Sequence, residues 1–177
     1  MENIISPIPV DVLKRELTRS KKLTDTNRGH NELYIVTWKD SPNVTTEIGR
    51  LREYTFRSAG GSTGNAVDLD EYAKMEQPYK QLIIWDPDAE AIIGGFRFLL
   101  GSEVCYDEDG QPIMASAHQF HFSQKYIDEY LPHVVELGRL SLDGYVADVR
   151  APAECDEVYA RLAQGGAFPV VQFGWGN

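Results

Sequence analysis

The stretch from Gln81 to Leu142 contains three apolar runs that predict the core strands of a sheet. The runs read LIIW at 82–85, IIGGFRFLL at 92–100 and VVELGRLSL at 134–142. Asp86-Pro87-Asp88 follows the first run, and because the fixed φ of proline suits a turn, the first two runs predict an antiparallel hairpin. Charges inside apolar runs are rarely buried unless they are paired or functional. The charged residues of these runs, and our first functional candidates, are Arg97, Glu136 and Arg139.

The composition is that of an ordinary globular protein. The chain has 177 residues, of which 42% are hydrophobic and 25% are charged. We expect one domain over residues 1–177, with a basic helical arm at 1–30 and a body of sheet and helices at 31–177. No apolar run approaches the roughly 20 residues of a membrane helix, and we see no signal peptide at the start. Two cysteines without metal-binding spacing fit a reducing cytoplasm.

The charge is distributed unevenly along the chain. The net charge of −10 argues against a general nucleic-acid binder. Residues 11–30 hold six basic and three acidic residues, so this arm carries +3 and the rest of the chain −13. A basic arm on an acidic body indicates a docking surface for an anionic partner or membrane, and the alternative is a solvated helix face. The basic residues of the arm are Lys14, Arg15, Arg19, Lys21, Lys22 and Arg28.

Upstream of the hairpin, the patterns predict a helix, a strand and a second helix. Residues 9–19 space their apolar side chains like one helical face, residues 24–30 resemble a loop, and residues 32–39 alternate like a strand. Ser41 and Pro42 predict the start of the second helix, with the serine as its cap. The apolar stripe of that helix is Val44, Ile48, Leu51 and Thr55 or Phe56, with Glu47, Arg50, Arg52, Glu53 and Arg57 around it.

Downstream of the hairpin, shorter patterns alternate with polar segments. Residues 118–122 resemble a short strand, and the two histidines in it lack the spacing of a zinc pair. Ser123 is placed to cap a short helix that follows. Residues 143–152 predict a loop, residues 153–163 a helix that ends at two glycines, and residues 169–175 a last strand.

The segment after the second predicted helix is rich in glycine and then in carboxylates. Residues 58–64 read SAGGSTG, and backbone N–H groups of such a loop can bind phosphate. We prefer a helix C-cap, because no strand precedes the loop and no Gly-Lys-Ser/Thr follows it. Asp68, Asp70 and Glu71 come next, and they could bind a substrate ammonium, nearby arginines or a metal. Metal is the least favoured partner because no histidine accompanies them.

This order of elements resembles the GNAT acyltransferase superfamily. Four motifs narrow the resemblance to acyl-homoserine-lactone synthases and long-chain N-acyl amino acid synthases. They are Arg52 with Phe56, Asp68 with Asp70, GGFRF at 94–98 and ELGR at 136–139. The stretch from Glu47 to Arg139 looks closest to the ornithine-lipid and glycine-lipid N-acyltransferases of Bacteroidetes, sometimes labelled hemolysin-like.

The resemblance implies a fold, a reaction and a set of site residues. The fold is α/β (α+β), with a mixed, largely antiparallel sheet flanked by helices, and we expect its C-terminal strands to be missing or divergent. The reaction moves a fatty or 3-hydroxy-fatty acyl group to the amine of glycine or ornithine, for aminolipid synthesis. The donor is an acyl-phosphopantetheine thioester on acyl carrier protein rather than on free coenzyme A, with no bound cofactor or metal. The implied substrate-binding residues are Arg52, Phe56, Asp68, Asp70, Phe96, Phe98 and Gly138.

Two other functions fit the same residues. The first is an autoinducer synthase that uses S-adenosylmethionine, and the second is a non-catalytic GNAT-like module that binds acyl carrier protein. For each of the three functions we expect a cytoplasmic protein, with peripheral contact to the inner membrane as a further option. The basic residues Lys14, Arg15, Arg19, Lys21 and Lys22 are expected to face acyl carrier protein, or, as the alternative, anionic lipid.

The chemistry needs a proton acceptor for the amine, and Glu136 is the candidate, directly or through water. On a central strand, desolvation would raise the pKa of Glu136. Gly138 permits a bulge that would turn a backbone N–H toward the thioester oxygen, and without it Glu136 and Arg139 face opposite sides. Arg97 could pair with Glu136, Asp68 or Asp70, or hold the carboxylate of the amino acid. The alternative is a buried Arg–Glu network that only fixes the sheet.

Overall fold

The computed structural model describes residues 1–27, 29–58, 60–61, 63–141, 146–150 and 170–173. Beyond Gly138 it describes the backbone alone. The chain divides into two compact units, residues 1–141 and residues 142–177. None of the described helices has the length and apolarity to cross a membrane.

The first unit is built on a five-stranded antiparallel sheet in the order β1-β2-β3-β4-β5. The strands are β1 (Lys22–Asp25), β2 (Glu32–Val36), β3 (Lys80–Asp86), β4 (Ala91–Leu100) and β5 (Val135–Ser141). The hairpin predicted from the first two apolar runs is confirmed as β3 and β4. The prediction of a loop at 24–30 is wrong at its start, because β1 pairs with β2 there. Three of the four residues of β1 are exposed, so its sequence lacks the alternation of apolar and polar residues that would have predicted a strand.

Two helices, α1 (Val10–Glu16) and α2 (Pro42–Ser58), bury one face of this sheet. Alternate residues of β3 are buried, as expected for a strand with one face against a core. The core on this face joins the helices to β2 and β3 through Leu13, Leu17, Tyr34, Val36, Val44, Ile83 and Trp85. Burying one side chain such as Ile83 stabilises the fold by about 1.5–3 kcal/mol.

The buried face of α2 differs from the predicted apolar stripe. Val44 is buried, but Ile48, Leu51, Thr55 and Phe56 are only half-buried, while the charged Glu47, Arg52 and Glu53 are buried. The prediction that charges surround the stripe is therefore wrong for these three residues. Each of them has an opposite charge close by, and the pairs are Glu47–Arg50, Arg52–Asp68 and Glu53–Arg57. Pairing offsets the cost of burying a charge. The spacing of apolar residues in the sequence gives no information about which charges are paired.

The N-terminus of α2 is capped from another helix. The carboxylate of Glu16, at the end of α1, accepts hydrogen bonds from the backbone N–H groups of Asn43 (3.2 Å) and Val44 (2.9 Å). The predicted cap by Ser41 is wrong, because its hydroxyl instead donates to Asp40 and accepts from Lys21. A carboxylate at a helix N-terminus satisfies free N–H groups and favours the helix dipole. Glu16 therefore fixes α1 against α2.

The C-terminus of α2 confirms the preference for a glycine C-cap over a phosphate loop. Gly60 has φ +79°, and Gly61 N donates to Phe56 O at 2.8 Å, which closes the helix. The buried carboxylate of Glu53 accepts from the N–H groups of Thr63 (3.1 Å) and Gly64 (3.2 Å). Hydrogen bonds from Thr63 and Arg57 lower the pKa of Glu53 to about 2. The N–H groups of Thr63 and Gly64 thus already bind an anion of the chain itself.

The segment between β4 and β5 covers the far end of the same sheet face. It packs against Tyr72 and Tyr79, which precede β3, and against Leu99 of β4 in a second core that also contains Val104, Met114 and Leu131. The predicted strand at 118–122 is wrong, because His118 ends the 3-10 helix Ala115–His118 and residues 119–122 form a turn and coil. Local bonds close this segment, such as those from Gln119 N and Phe120 N to Ser116 O. The predicted helix cap at Ser123 is confirmed, since its hydroxyl accepts from Tyr126 N at the start of α3 (Gln124–Glu129).

The second unit contains β6 (Val146–Arg150) and β7 (Val170–Phe173), which pair in parallel. The predicted loop at 143–152 is wrong where β6 forms, and the predicted last strand at 169–175 is confirmed over the four residues of β7. The predicted helix at 153–163 lies outside the described residues. An antiparallel sheet with helices on it and a parallel pair of strands confirm the predicted mixed α/β class.

Candidate active site

Arg97 lies at the centre of a hydrogen-bonded cluster on the covered face of the sheet. It is only 5% exposed, and Nη1 donates to Asp70 Oδ2 at 2.7 Å. Its guanidinium carbon lies 4.6 Å from the ring centroid of Tyr79 and 5.8 Å from that of Tyr72. Of the partners that the sequence left open for Arg97, the structure selects Asp70.

Gly138 provides the space that the Arg97 side chain occupies. The two residues lie opposite each other on β5 and β4. A Cβ atom at Gly138 would lie 3.1 Å from Arg97 Nε, which is tighter than ordinary packing allows. The register of β5 shifts directly after Gly138, because two residues of β5, Arg139 and Leu140, stand opposite one residue of β4, Phe96, between the Arg97 and Gly95 pairings. This shift confirms the predicted bulge.

Glu136 binds the 3-10 helix Ala115–His118 directly through one carboxylate oxygen and, through the Tyr79 hydroxyl, indirectly with the other. Oε1 accepts from Ser116 N at 2.8 Å, and Oε2 accepts from the Tyr79 hydroxyl. The same hydroxyl accepts from Ala115 N at 2.8 Å. Burial and the bond to Glu136 raise the pKa of Tyr79, so its hydroxyl keeps the proton that it donates. The expectation of a desolvated Glu136 on a central strand is wrong, because β5 ends the described sheet and the side chain is half-buried.

Arg52 and Asp68 form a second, separate buried pair, with Arg52 Nη2 donating to Asp68 Oδ2 at 2.6 Å. The guanidinium carbon of Arg52 lies 5.9 Å from the ring centroid of Phe56. Since Asp68 and Asp70 are two residues apart, one short segment ties α2 and β4 together through two arginines. Among the described residues, no three histidine, cysteine, aspartate or glutamate side chains are grouped so that they could hold a metal.

Other predicted site residues lie away from the Arg97 cluster. Phe96 and Phe98 alternate with Arg97 along β4, so they lie on the opposite face, where their ring centroids are 6.3 Å apart. Leu137 is opposite Phe98 in the sheet and is 67% exposed. The backbone of Arg139 belongs to the irregular part of β5, and its side chain lies outside the described residues.

Four of the five predicted docking residues have carboxylate partners within the chain. Lys14 pairs with Glu90, and Arg15 pairs with Asp11 at 3.2 Å. Lys21 and Lys22 are half-buried, and their ammonium groups bind carboxylates and backbone oxygens of the fold. Arg19 is exposed, and Arg28 lies outside the described residues. More of the basic side chains of the arm are therefore paired with carboxylates of the chain than the sequence predicts.

Sequence reasoning missed Tyr72, Tyr79 and His118. Tyr79 lies 57 residues from Glu136 in the chain, and pairing of β3 with β4 and of β4 with β5 brings them together. Tyr72 and His118 share a 2.6 Å hydrogen bond between the phenol oxygen and Nε2. No local pattern marks such contacts, and the only signal was the presence of polar aromatic residues next to the charged runs.

Comparison with known proteins places this site inside a matched segment. Residues 51–148 match the acetyltransferase (GNAT) domain family. Two curated relatives, each named glycine N(alpha)-acyltransferase, come from Phocaeicola vulgatus and Bacteroides thetaiotaomicron and are 59% and 56% identical over 139 residues. That alignment covers 78% of this chain but only 43% and 41% of the relatives, so the chain spans about two fifths of their length. No solved structure matches the chain.

Proposed function

The chain belongs to the GNAT acetyltransferase family, and we propose that it transfers a fatty or 3-hydroxy-fatty acyl group from acyl carrier protein to the amine of glycine. Ornithine is the alternative acceptor. The observation that carries the proposal is the joint position of Arg97 and Glu136, which lie within the matched segment and on one face of β4 and β5. The names of the two relatives, both glycine N(alpha)-acyltransferases, support glycine as the acceptor.

In the proposed reaction, the amine nitrogen attacks the thioester carbonyl carbon. A C–N bond forms, the C–S bond breaks, and the phosphopantetheine sulfur leaves as a thiolate. The attacking nitrogen loses a proton as the amide forms, and this proton balances the one that the thiolate takes up. The acceptor arrives as an ammonium and must first lose a proton, for which Glu136 is the proposed acceptor. A carboxylate has about four lone-pair sites, and the bonds from Tyr79 and Ser116 use two of them.

Arg97 is proposed to hold a substrate oxygen. Its Nε is buried and has no hydrogen-bond partner among the described residues. A buried donor left unpaired costs about 1–3 kcal/mol, and such groups are commonly kept where function needs them. Arg139, which follows Gly138 on the bulged part of β5, is the proposed third member of the site.

The test is incubation of the protein with acyl carrier protein thioesters, or the matching coenzyme A thioesters, and single amino acids. We expect mass spectrometry to detect N-acylglycine from the carrier-protein donor. Absence of an amide with every amino acid would contradict the proposal. Release of methylthioadenosine from S-adenosylmethionine would instead identify an autoinducer synthase.

The product of this reaction would be a lipid precursor made by a cytoplasmic enzyme. An N-acyl amino acid carries one long apolar chain, and a single acyl chain gives reversible membrane binding. We therefore propose that the protein works in aminolipid synthesis and contacts the inner membrane peripherally while releasing product.

The donor is proposed to dock on the exposed side of the basic arm. Replacing Arg15 and Arg19 by glutamate is expected to weaken binding of acyl carrier protein about tenfold, because long-range attraction to an acidic partner is lost. We leave Lys21 unchanged, since its ammonium also donates to Glu16 O and Ser41 Oγ inside the fold. Surface plasmon resonance at rising salt checks the result, and added salt should weaken wild-type binding in the same direction.

The matched control for this prediction is Lys125→Glu, which reverses an exposed cation on α3. It should leave carrier-protein binding unchanged. If the arm variant binds acyl carrier protein normally but no longer binds anionic liposomes, the arm contacts the membrane and the docking proposal is wrong.

A further inference from the structure

An open cavity of about 620 Å³ lies beside the Glu136 cluster. The 3-10 helix Ala115–His118 connects the two, because Ala117 and His118 line the cavity while Ala115 N and Ser116 N bind Tyr79 and Glu136. Pockets that bind small ligands usually have volumes of about 300–1,000 Å³. The cavity therefore has the size of a substrate site, and one short helix separates its lining from the Glu136 carboxylate.

The hydrogen bond between Tyr72 and His118 lies in the wall of this cavity. If His118 Nε2 carries the proton, it donates to the phenol oxygen and leaves the Nδ1 lone pair free. If the phenol donates, the free lone pairs are those of the phenol oxygen. Burial and the charges of Glu71 and Asp70 raise the pKa of Tyr72, so the phenol stays neutral. Either tautomer of the neutral pair therefore offers one acceptor to a donor in the cavity.

The charges around the cavity favour a cation. Asp107 and Asp109 line it, and the Glu71 carboxylate lies 3.8 Å from His118 Nε2. No lysine or arginine is among the described residues that line it. The remaining titratable group is His121, on the segment after the 3-10 helix. With both histidines neutral, every full charge at the cavity is negative.

We propose that this cavity binds the acceptor as a primary ammonium ion, and that the Tyr72–His118 pair supplies its hydrogen-bond acceptor. The ammonium donates either to the free ring nitrogen of His118 or to the phenol oxygen of Tyr72. The inference rests on the proposed function, because it assigns the acceptor of that reaction to a specific place. The volume also admits amines larger than glycine.

The experiment measures binding to the full chain without any acyl donor. Glycine, glycinamide and acetate are titrated at pH 7.5 while NMR follows the ring signals of His118 and His121. Glycinamide keeps the ammonium and lacks the carboxylate, and acetate does the reverse. We expect glycine and glycinamide to shift both histidine signals and acetate to shift neither.

Variants of the cavity wall test the role of the Tyr72–His118 pair. Tyr72→Phe combined with His118→Phe removes both acceptors of the pair, so affinity for glycinamide should fall about tenfold. Circular dichroism checks that this variant folds. His121→Asn, which changes another histidine of the same cavity, should leave the affinity unchanged.

The outcomes separate this inference from the proposed function. Equal binding of acetate and glycinamide, or wild-type affinity for glycinamide in the variant that combines Tyr72→Phe with His118→Phe, would overturn the inference. Amide formation by a protein that binds neither glycine nor glycinamide at the cavity would overturn it as well and leave the proposed function in place. Binding as expected with no amide from any donor would overturn the proposed function alone.

Discussion

Glu136→Gln is expected to lower the rate of amide formation by about 10²–10⁴-fold, the usual contribution of a positioned general base. The glutamine amide has nearly the same shape, and its oxygen can still accept the bond from Ser116 N that holds the 3-10 helix Ala115–His118. It cannot take up a proton at neutral pH. Single-turnover rates with an acyl carrier protein thioester measure the loss, and circular dichroism checks that the fold remains.

Tyr79→Phe is the control for this prediction, because it removes the hydroxyl that donates to Glu136 but leaves the carboxylate. One hydrogen bond is worth about 0.5–1.5 kcal/mol, so its rate loss should stay within about tenfold. A Glu136→Gln protein with the wild-type rate would show that the charged network only fixes the sheet. Binding of acyl carrier protein without turnover, unchanged in Glu136→Gln, would favour the non-catalytic module.

Asp68→Asn is expected to lower the free energy of unfolding by about 3–5 kcal/mol, the cost of breaking a buried ion pair by removing one partner. The Arg52 and Asp68 side chains are 7% and 6% exposed, and the closest contact between them is 2.6 Å. The substitution leaves the guanidinium of Arg52 buried beside a neutral amide, and the charge–charge attraction of this pair is lost. Urea unfolding followed by circular dichroism measures the change.

Two further variants make this prediction specific to the buried pair. Asp11→Asn breaks the exposed pair with Arg15, in which the side chains are 74% and 70% exposed, and should cost no more than about 1 kcal/mol. Arg52→Met combined with Asp68→Leu should recover most of the lost stability, because apolar replacement of a whole buried pair is often neutral. Equal costs for Asp68→Asn and Asp11→Asn would show that burial of the pair does not matter.

The sequence predicted those elements that depend on residues close together in the chain. The β3–β4 hairpin follows from two apolar runs around a proline turn, and the Ser123 cap follows from one side chain and the N–H of Tyr126 three residues on. The end of α2 followed from glycines that accept a positive φ. The bulge after Gly138 was also predicted, because a glycine next to charges in a strand suggests an irregularity.

Elements that are stabilised by partners far away in the chain were not predicted from local sequence patterns. β1 has only four residues, three of them exposed, and exists because β2 offers a pairing edge. The cap of α2 comes from Glu16, 28 residues before Val44, so Ser41 was a reasonable but wrong choice. The buried charges of α2 were misplaced for the same reason, since a charge is tolerated inside only when its partner is known.

The sequence alone marked Arg97, Glu136 and Gly138 as candidates, because charges and glycines inside apolar runs violate the ordinary pattern of a core. It marked Asp70 as one of three neighbouring carboxylates. It left the pairing of Arg97 open, because β alternation fixes the face on which a side chain lies but not its partner on a loop. Only the tertiary structure decided that Arg97 binds Asp70, that Tyr79 and the 3-10 helix Ala115–His118 hold Glu136, and that a cavity opens at His118. These contacts join residues between 20 and 57 positions apart, and hydrogen bonding depends on distance in space rather than along the chain.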